Sequence, residues 1–70
     1  MVNRFYRSTF YHARSGKRYT LDHGGDNIAL AILHGHHVAR AEGYQWVGTK
    51  RIRADEQRKL GEFVVPEDPL

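Results

Sequence analysis

Apolar and polar residues alternate in two short runs near the start of the chain, and this pattern predicts a β-hairpin. The run RFYRSTFYHA is rich in aromatic residues and threonine, which favour strands. In RYTLD, Tyr19 and Leu21 point to one face and Arg18 and Thr20 to the other. The intervening SGK supplies a turn in which Gly16 can adopt a positive φ. Because the first run carries aromatic residues on both faces, we expect a bulge or burial on both sides.

The next segment has the spacing of an amphipathic helix. Asp26 or Asn27 is suited to cap its first turn, and Gly43 is suited to end it. The apolar stripe between them follows the i, i+3, i+4, i+7 rule and consists of Ile28, Ala31, Ile32, Gly35, Val38 and Ala39. A glycine inside this stripe lowers helix propensity, but it lets the helix backbone approach a sheet closely.

After the helix, the sequence predicts a third strand, a short helix and an extended tail. YQWVGTKRIR predicts a third strand in which Gly48 marks a bulge, and ADEQRKLG predicts a short helix. EFVVPEDPL contains two prolines and reads as an extended tail. The expected fold is therefore α+β with the order β-β-α-β: a three-stranded sheet, one helix packed on one face, and a short C-terminal helix or tail. We expect one domain over residues 1–61 and an extended tail over 62–70.

Composition narrows the class of protein. The 70 residues include 11 Lys plus Arg and 8 Asp plus Glu, for a net charge of +3, and contain no cysteine. Disulfides and thiolate zinc sites are therefore excluded. The first ten residues lack the apolar core of a signal peptide, and no run approaches the roughly 20 apolar residues that span a bilayer. We expect a cytoplasmic protein that makes no membrane contact.

Three histidines within four positions raise the question of a metal site. His34 and His37 are neighbours on a helix surface, whereas His36 points elsewhere. Neither the zincin pattern nor a zinc-finger spacing is present. The sequence therefore predicts an imidazole-rich exposed helix face, with no metal and no cofactor.

Catalytic signals are equally weak. Ser8 and Ser15 have no nucleophile-elbow context, and Asp22, His23 and Asp26 are close in sequence without forming a recognisable motif. A domain of this size has little means of shielding a reaction from water. We expect no catalytic residue and no enzymatic activity.

The leading hypothesis is a small binding protein that uses a basic sheet face. If the helix covers one side of the sheet, arginines on the other side remain free to pair bidentately with carboxylates or phosphates. The expected partner-binding residues, centred on two arginines of the third strand, are Arg51, Arg53, Arg18, Lys50 and Arg7. The partner would be a larger protein with an acidic surface. The alternative is a nucleic-acid-binding module that uses the same face, with Arg14, Lys17 and Arg18 of the hairpin on phosphates or base edges.

The outer helix face leaves three alternatives open. Leu30 and Leu33 lie off the apolar stripe. They are ordinary exposed leucines, or the tail with Phe63, Val64 and Val65 folds over them, or they form a partner or homodimer contact.

Two resemblances concern layout and short motifs. The order hairpin, helix and then a strand ending in TKRIR resembles small podovirus proteins that inhibit host RNA polymerase, over most of residues 4–53. The resemblance implies that Arg51 and Arg53 contact an acidic jaw surface of the polymerase during host takeover. FYHARSGKRYTL followed by an alanine-rich helix is similar to the arm-binding domains of lambda-type integrases, which implies that the sheet enters the DNA major groove.

Overall fold

The fold, taken from a computed structural model, is a four-stranded sheet with one helix packed on one face. The structure describes residues 4–58 and 60–65. Its elements in chain order are β1 (Arg4–His12), β2 (Lys17–Gly25), α1 (Ile28–Glu42), β3 (Gln45–Ile52), a 3₁₀ turn (Ala54–Glu56) and β4 (Phe63–Val64). The strand order is β3-β1-β2-β4, and every pairing is antiparallel. β1 is therefore central, and α1 connects two strands that flank it.

The β1–β2 hairpin confirms the expected turn. Gly16 has a φ of 72°, and its N–H donates to the carbonyl of His12 at 2.8 Å. Ser15 adds a side-chain contact of 2.8 Å with His12 and accepts from the N–H of Lys17. The resulting register places Phe10 opposite Tyr19 and needs no bulge within the hairpin itself.

α1 begins and ends where the sequence predicts. The side chain of Asn27 accepts from the N–H of Leu30 at 2.9 Å, and Gly43 ends the helix at a φ of 74°. The buried side of the helix is formed by small residues, Ala31, Gly35 and Ala39. The expectation that Ile28 belongs to the buried stripe is wrong, because this residue at the helix start is 45% exposed. The described part of the chain contains no helix long and apolar enough to cross a membrane.

A bulge in β3 changes which residues face the helix. Gly48 is opposite Thr9 and Trp46 is opposite Phe10, so Val47 is the extra residue between these two pairs. A single extra residue reverses the alternation of side chains beyond it. Trp46 therefore lies on the helix side with Phe10, as the bulge expected near Gly48 allows, whereas Ile52 lies on the opposite side.

The expectation of three strands is wrong, because part of the predicted tail forms a fourth. Phe63 and Val64 pair with Leu21 and Thr20 of β2. Phe63 also packs against the core residues Phe10 and Leu21, together with Tyr44. The predicted short helix is only the 3₁₀ turn, and the part of the tail from residue 66 onward lies outside the described residues.

Leu30 and Leu33 on the outer helix face are each about half exposed. Phe63 packs against the aromatic core instead of folding over them. Of the three alternatives left open for these leucines, cover by Phe63 is therefore excluded. Within the described residues, they form an exposed apolar pair.

Candidate partner-binding site

Arg51 of the RIR motif does not share the expected basic face with Arg18, and Arg53 lies beyond the end of β3. Arg51 is opposite Tyr6, which is buried beneath the helix, and Ile52 is opposite Phe5 on the other side. Arg18 is opposite Tyr11 and so lies on the side away from the helix. The assumption that Ile52 packs under the helix with Trp46 is wrong, because the bulge at Val47 gives these two residues opposite faces. Arg51 is instead an exposed residue of the edge strand, on the helix side.

Arg7 is engaged within the chain. Its Nε and Nη2 atoms donate to the two carboxylate oxygens of Asp22 at 2.7 and 3.0 Å, and Nη2 also donates to the carbonyl of Glu56 at 2.9 Å. The hydrogen bond to Asp22 is the main cause that raises the pKa of Arg7. A guanidinium held in a bidentate pair and 15% exposed contributes to the fold. In this structure Arg7 is therefore a structural residue and not part of a free basic face.

The side of the sheet opposite the helix is partly covered by the segment after β3. The backbone N–H of Arg58 donates to the carboxylate of Asp22 at 2.8 Å, and that of Gly61 donates to the Asp22 carbonyl at 3.0 Å. This segment therefore crosses from β3 to the outer edge of β2 above the Arg7–Asp22 pair. The expected open basic face is interrupted, and its basic residues are divided between the two ends of the sheet.

One of these groups surrounds a shallow pocket of about 420 Å³ where β1 begins and β3 ends. Its lining residues are Arg4, Phe5, Arg51, Ile52, Arg53, Ala54 and Glu56. We call this pocket with its three arginines the arginine pocket. Phe5 and the buried Ile52 give its lining an apolar component, and its arginines suit an anionic partner.

Arg4 is a member of the arginine pocket that the sequence reasoning missed. Its Nη1 donates to the carbonyl of Asp26 at 2.7 Å, so the side chain is oriented by the loop that precedes α1. The position of Arg4 could be inferred from strand pairing, because the first residues of an antiparallel strand lie beside the last residues of its neighbour. It required knowing that β3 pairs with β1 and not with β2.

Arg53 already contacts two carboxylates of its own chain. Its Nε lies 3.3 Å from Asp55 and 3.5 Å from Glu56. The Glu56 carboxylate also accepts from the backbone N–H of Arg53 at 2.9 Å, and this bond is the main cause that holds the pKa of Glu56 below its ordinary value. Arg53 is nevertheless 78% exposed, so its guanidinium stays accessible from solvent.

The remaining predicted basic residues lie elsewhere. Arg14, Lys17 and Arg18 are exposed at the hairpin end of β1. That end is about 27 Å from the arginine pocket, given the rise per residue of an antiparallel strand and the nine residues of β1. Lys50 is exposed on β3 opposite Arg7. The structure thus brings Arg51 and Arg53 together with Arg4 and separates them from the hairpin group.

A second polar cluster lies beneath the helix, in which Ser8 and His23 are buried and Thr49 and Trp46 are half-buried. Ser8 contacts His23 Nε2 and Thr49 Oγ1, each at 2.7 Å, and Trp46 Nε1 donates to Thr49 at 2.9 Å. Ser8 is fully buried, and Gly35 of the helix lies directly over it. A serine hydroxyl bonded to an imidazole is the pairing that activates a nucleophile, but here no substrate atom can reach the hydroxyl.

The histidines do not assemble a metal centre. His34 lies beside His23, with ring centroids 4.9 Å apart, whereas His36 packs on Trp46 at 4.4 Å. Among residues 4–58 and 60–65, no group of three or more His, Asp or Glu side chains is placed to hold a metal ion. His36 and His34 therefore use their rings in separate packing contacts.

Comparison with protein families, curated proteins and solved structures found no match to this chain.

Proposed function

We propose that this chain is a small, non-enzymatic binding protein that docks onto an acidic surface of a larger protein through the arginine pocket. The observation that supports the proposal is that Arg4, Arg51 and Arg53 line one indentation, together with the half-buried Phe5 and the buried Ile52. Arginine and aromatic residues are enriched where binding energy concentrates in protein interfaces. The guanidinium groups would pair with carboxylates of the partner, and the apolar surface would contact the aliphatic parts of the same side chains.

The first partner to test is a bacterial RNA polymerase, with this chain as a phage-type inhibitor acting in the cytoplasm of the host. Two features support this choice: the layout resemblance noted from the sequence, and the fact that both arginines of the RIR motif line the arginine pocket. Arg18 and Arg7, which the sequence grouped with them, are not part of this contact surface. No metal or cofactor is required for such a docking function.

A nucleic-acid-binding function is the second candidate, and the hairpin end favours it. Arg14, Lys17 and Arg18 are exposed there, and Arg18 is opposite Tyr11 in the β1–β2 register. Cations and an aromatic residue at one end of a sheet suit a nucleic-acid strand, since phosphates and bases are engaged together. In this alternative the hairpin, and not the arginine pocket, would carry most of the binding.

Capture from a bacterial lysate with and without nuclease treatment separates the two functions. We expect a protein partner to be retained after nuclease. In the purified complex, Arg51→Ala and Arg53→Ala should each weaken binding by about 2–4 kcal/mol, because each removes one member of a desolvated charge pair. Arg40→Ala, in the last turn of α1, is a matched control that removes the same charge from another exposed site.

The alternative gives a different pattern. Nucleic-acid binding would spread modest losses over Arg14, Lys17 and Arg18, and affinity would fall log-linearly and steeply with salt concentration. If the double variant Arg51→Ala/Arg53→Ala folds and keeps full affinity for a protein partner, the arginine pocket is not the docking site. The exposed pair Leu30 and Leu33, which would also suit a homodimer contact, then becomes the surface to test.

A further inference from the structure

We propose that Asp55 masks Arg53 in the free protein and that a partner carboxylate must replace it when the partner binds. This inference rests on the proposed docking function, and it concerns how the arginine pocket is regulated. The Asp55 carboxylate lies 3.3 Å from Nε of Arg53, across the short 3₁₀ turn that begins at the next residue. The same guanidinium atom that would contact the partner is thus occupied by the protein's own acid.

The ion pair between Arg53 and Asp55 is weak enough for a partner carboxylate to replace Asp55. Both side chains are largely exposed, at 78% for Arg53 and 74% for Asp55. Ion pairs of this kind are screened by water and contribute little to stability, so an incoming carboxylate with better geometry can displace Asp55. The Arg7–Asp22 pair differs, because it is bidentate and shielded and would not exchange.

Asp55 and Glu56 have separable roles in this mask. Glu56 holds the turn together, since its carboxylate accepts from the Arg53 N–H and its carbonyl accepts from Arg7. Apart from its contact with Arg53, no described hydrogen bond or ion pair involves the Asp55 side chain. Removal of the Asp55 charge therefore takes away the shorter of the two carboxylate contacts of Arg53 Nε, while the 3.5 Å contact with Glu56 and the turn stay in place, which makes it the informative substitution.

The occupant that this geometry favours is a carboxylate of an acidic protein segment. The internal contacts of Arg53 are themselves carboxylates, and the half-buried Phe5 of the same pocket suits the methylene groups that carry such a carboxylate. A phosphate of a nucleic acid would also displace Asp55 by charge alone. The test therefore includes both kinds of probe.

The experiment measures binding of two probes by fluorescence anisotropy: a seven-residue peptide that alternates glutamate and valine, and a single-stranded oligothymidylate. The chain is compared with Asp55→Asn and with Glu42→Gln, a matched control that removes one negative charge at the far end of α1. Asp55→Asn should bind the peptide about two- to five-fold tighter than the parent, which is the range expected from releasing an exposed ion pair. Glu42→Gln should change peptide affinity less, and the gain should disappear in an Arg53→Ala background.

Each result bears on the inference. If the peptide binds and Asp55→Asn equals Glu42→Gln, the mask is overturned while the docking function stands. If neither the parent nor Asp55→Asn binds the peptide, the docking function fails together with the mask. If Asp55→Asn tightens only the oligothymidylate, the occupant is a phosphate, and the inference of a protein carboxylate is overturned.

Discussion

The Oγ atom of Ser8 lies 2.7 Å from Nε2 of His23, and both side chains are buried between the sheet and the helix. Ser8 also contacts Thr49, which accepts from the indole of Trp46. The hydrogen bonds therefore run across three strands, from β2 through β1 to β3. In an otherwise apolar layer, such a chain of bonds fixes the lateral register of the strands, because a shifted strand would leave buried polar groups without partners.

His23 should make the free energy of unfolding depend on pH, at pH values above those at which carboxylates titrate. Its burial, followed by the proximity of His34, lowers the pKa of His23, while the backbone of Gly24 and the charge of Asp22 oppose this effect without outweighing it. Since a histidine in an unfolded chain has a pKa of about 6.5, the unfolded chain binds the proton first as the pH falls. The free energy of unfolding should therefore decrease from about pH 7 downward, until the folded protein also takes up the proton.

Urea unfolding followed at several pH values tests this dependence. His23→Gln should flatten the slope between about pH 7 and 5, whatever its effect on absolute stability. His37→Gln, at an exposed position of the helix, is the control. A slope that is unchanged in His23→Gln would mean that another group is responsible.

Gly35→Ala should destabilise the fold although alanine favours a helix. A Cβ atom at this position would lie 3.0 Å from the indole ring of Trp46 and 3.1 Å from Oγ of Ser8. Overpacking of this kind costs about 1–3 kcal/mol, and the gain in helix propensity is about 1 kcal/mol, so we expect a net loss of up to about 2 kcal/mol in chemical denaturation. Ala41→Gly, at an exposed helix position, measures the propensity contribution alone. A Gly35→Ala variant more stable than the parent would show that the helix does not approach the sheet this closely.

Asp22 should stabilise the fold at neutral pH and lose this effect in acid. Burial alone would raise its pKa, but the hydrogen bonds from Arg7 and from the backbone of Arg58 outweigh burial and lower it. A lowered carboxyl pKa means that the stabilisation is present above about pH 4, where the unfolded Asp is ionised, and is lost as the pH falls through the folded value.

The corresponding variant is Asp22→Asn, which leaves Arg7 in place without its charged partner. We expect it to lower the free energy of unfolding by about 2–4 kcal/mol at pH 7 and to reduce the loss of stability below about pH 4. Glu42→Gln should change stability by less than about 0.5 kcal/mol. Equal behaviour of these two variants at pH 7 would contradict a structural role for the Arg7–Asp22 pair.

Phe63→Ala tests whether the fourth strand is part of the core. The Phe63 ring packs edge-on against Tyr44 and Phe10, with centroid distances of 5.4 and 5.9 Å. Its removal should cost about 2–3 kcal/mol in chemical denaturation, somewhat less than for a fully buried phenylalanine. Val65→Ala, at a 56% exposed position beyond the strand, should behave as a surface change. If the two variants are alike, the pairing of β4 with β2 does not contribute to stability.

The helix and the hairpin could be predicted from local sequence signals, whereas the fourth strand depends on the long-range pairing of β4 with β2. Effects on the local backbone can be predicted from the sequence, as for the helix cap at Asn27 and the positive-φ residues Gly16 and Gly43. β4 is only two residues long, and the turn at Leu60 and Gly61 before it does not by itself distinguish a strand at Phe63–Val64 from a tail. Its pairing depends on the path of the preceding segment across the sheet.

The candidate site was predicted in part for the same reason. Arg51 and Arg53 stand out in the sequence as a pair, but the face of Arg51 depends on the bulge at Val47. Arg7 was placed with them because its partner Asp22 is 15 residues away, and only the hairpin register brings the two together. Arg4 was missed because its neighbourhood is created by pairing with a strand more than 40 residues later.

The central position of β1 has a consequence for refolding from denaturant. β1 can pair with β2 through a local hairpin, whereas its other neighbour, β3, lies beyond the helix and ends at Ile52. Until β3 docks, one edge of β1 has no partner strand. Such an edge is prone to pair with other chains, so the yield of refolded protein should fall as the protein concentration during refolding rises.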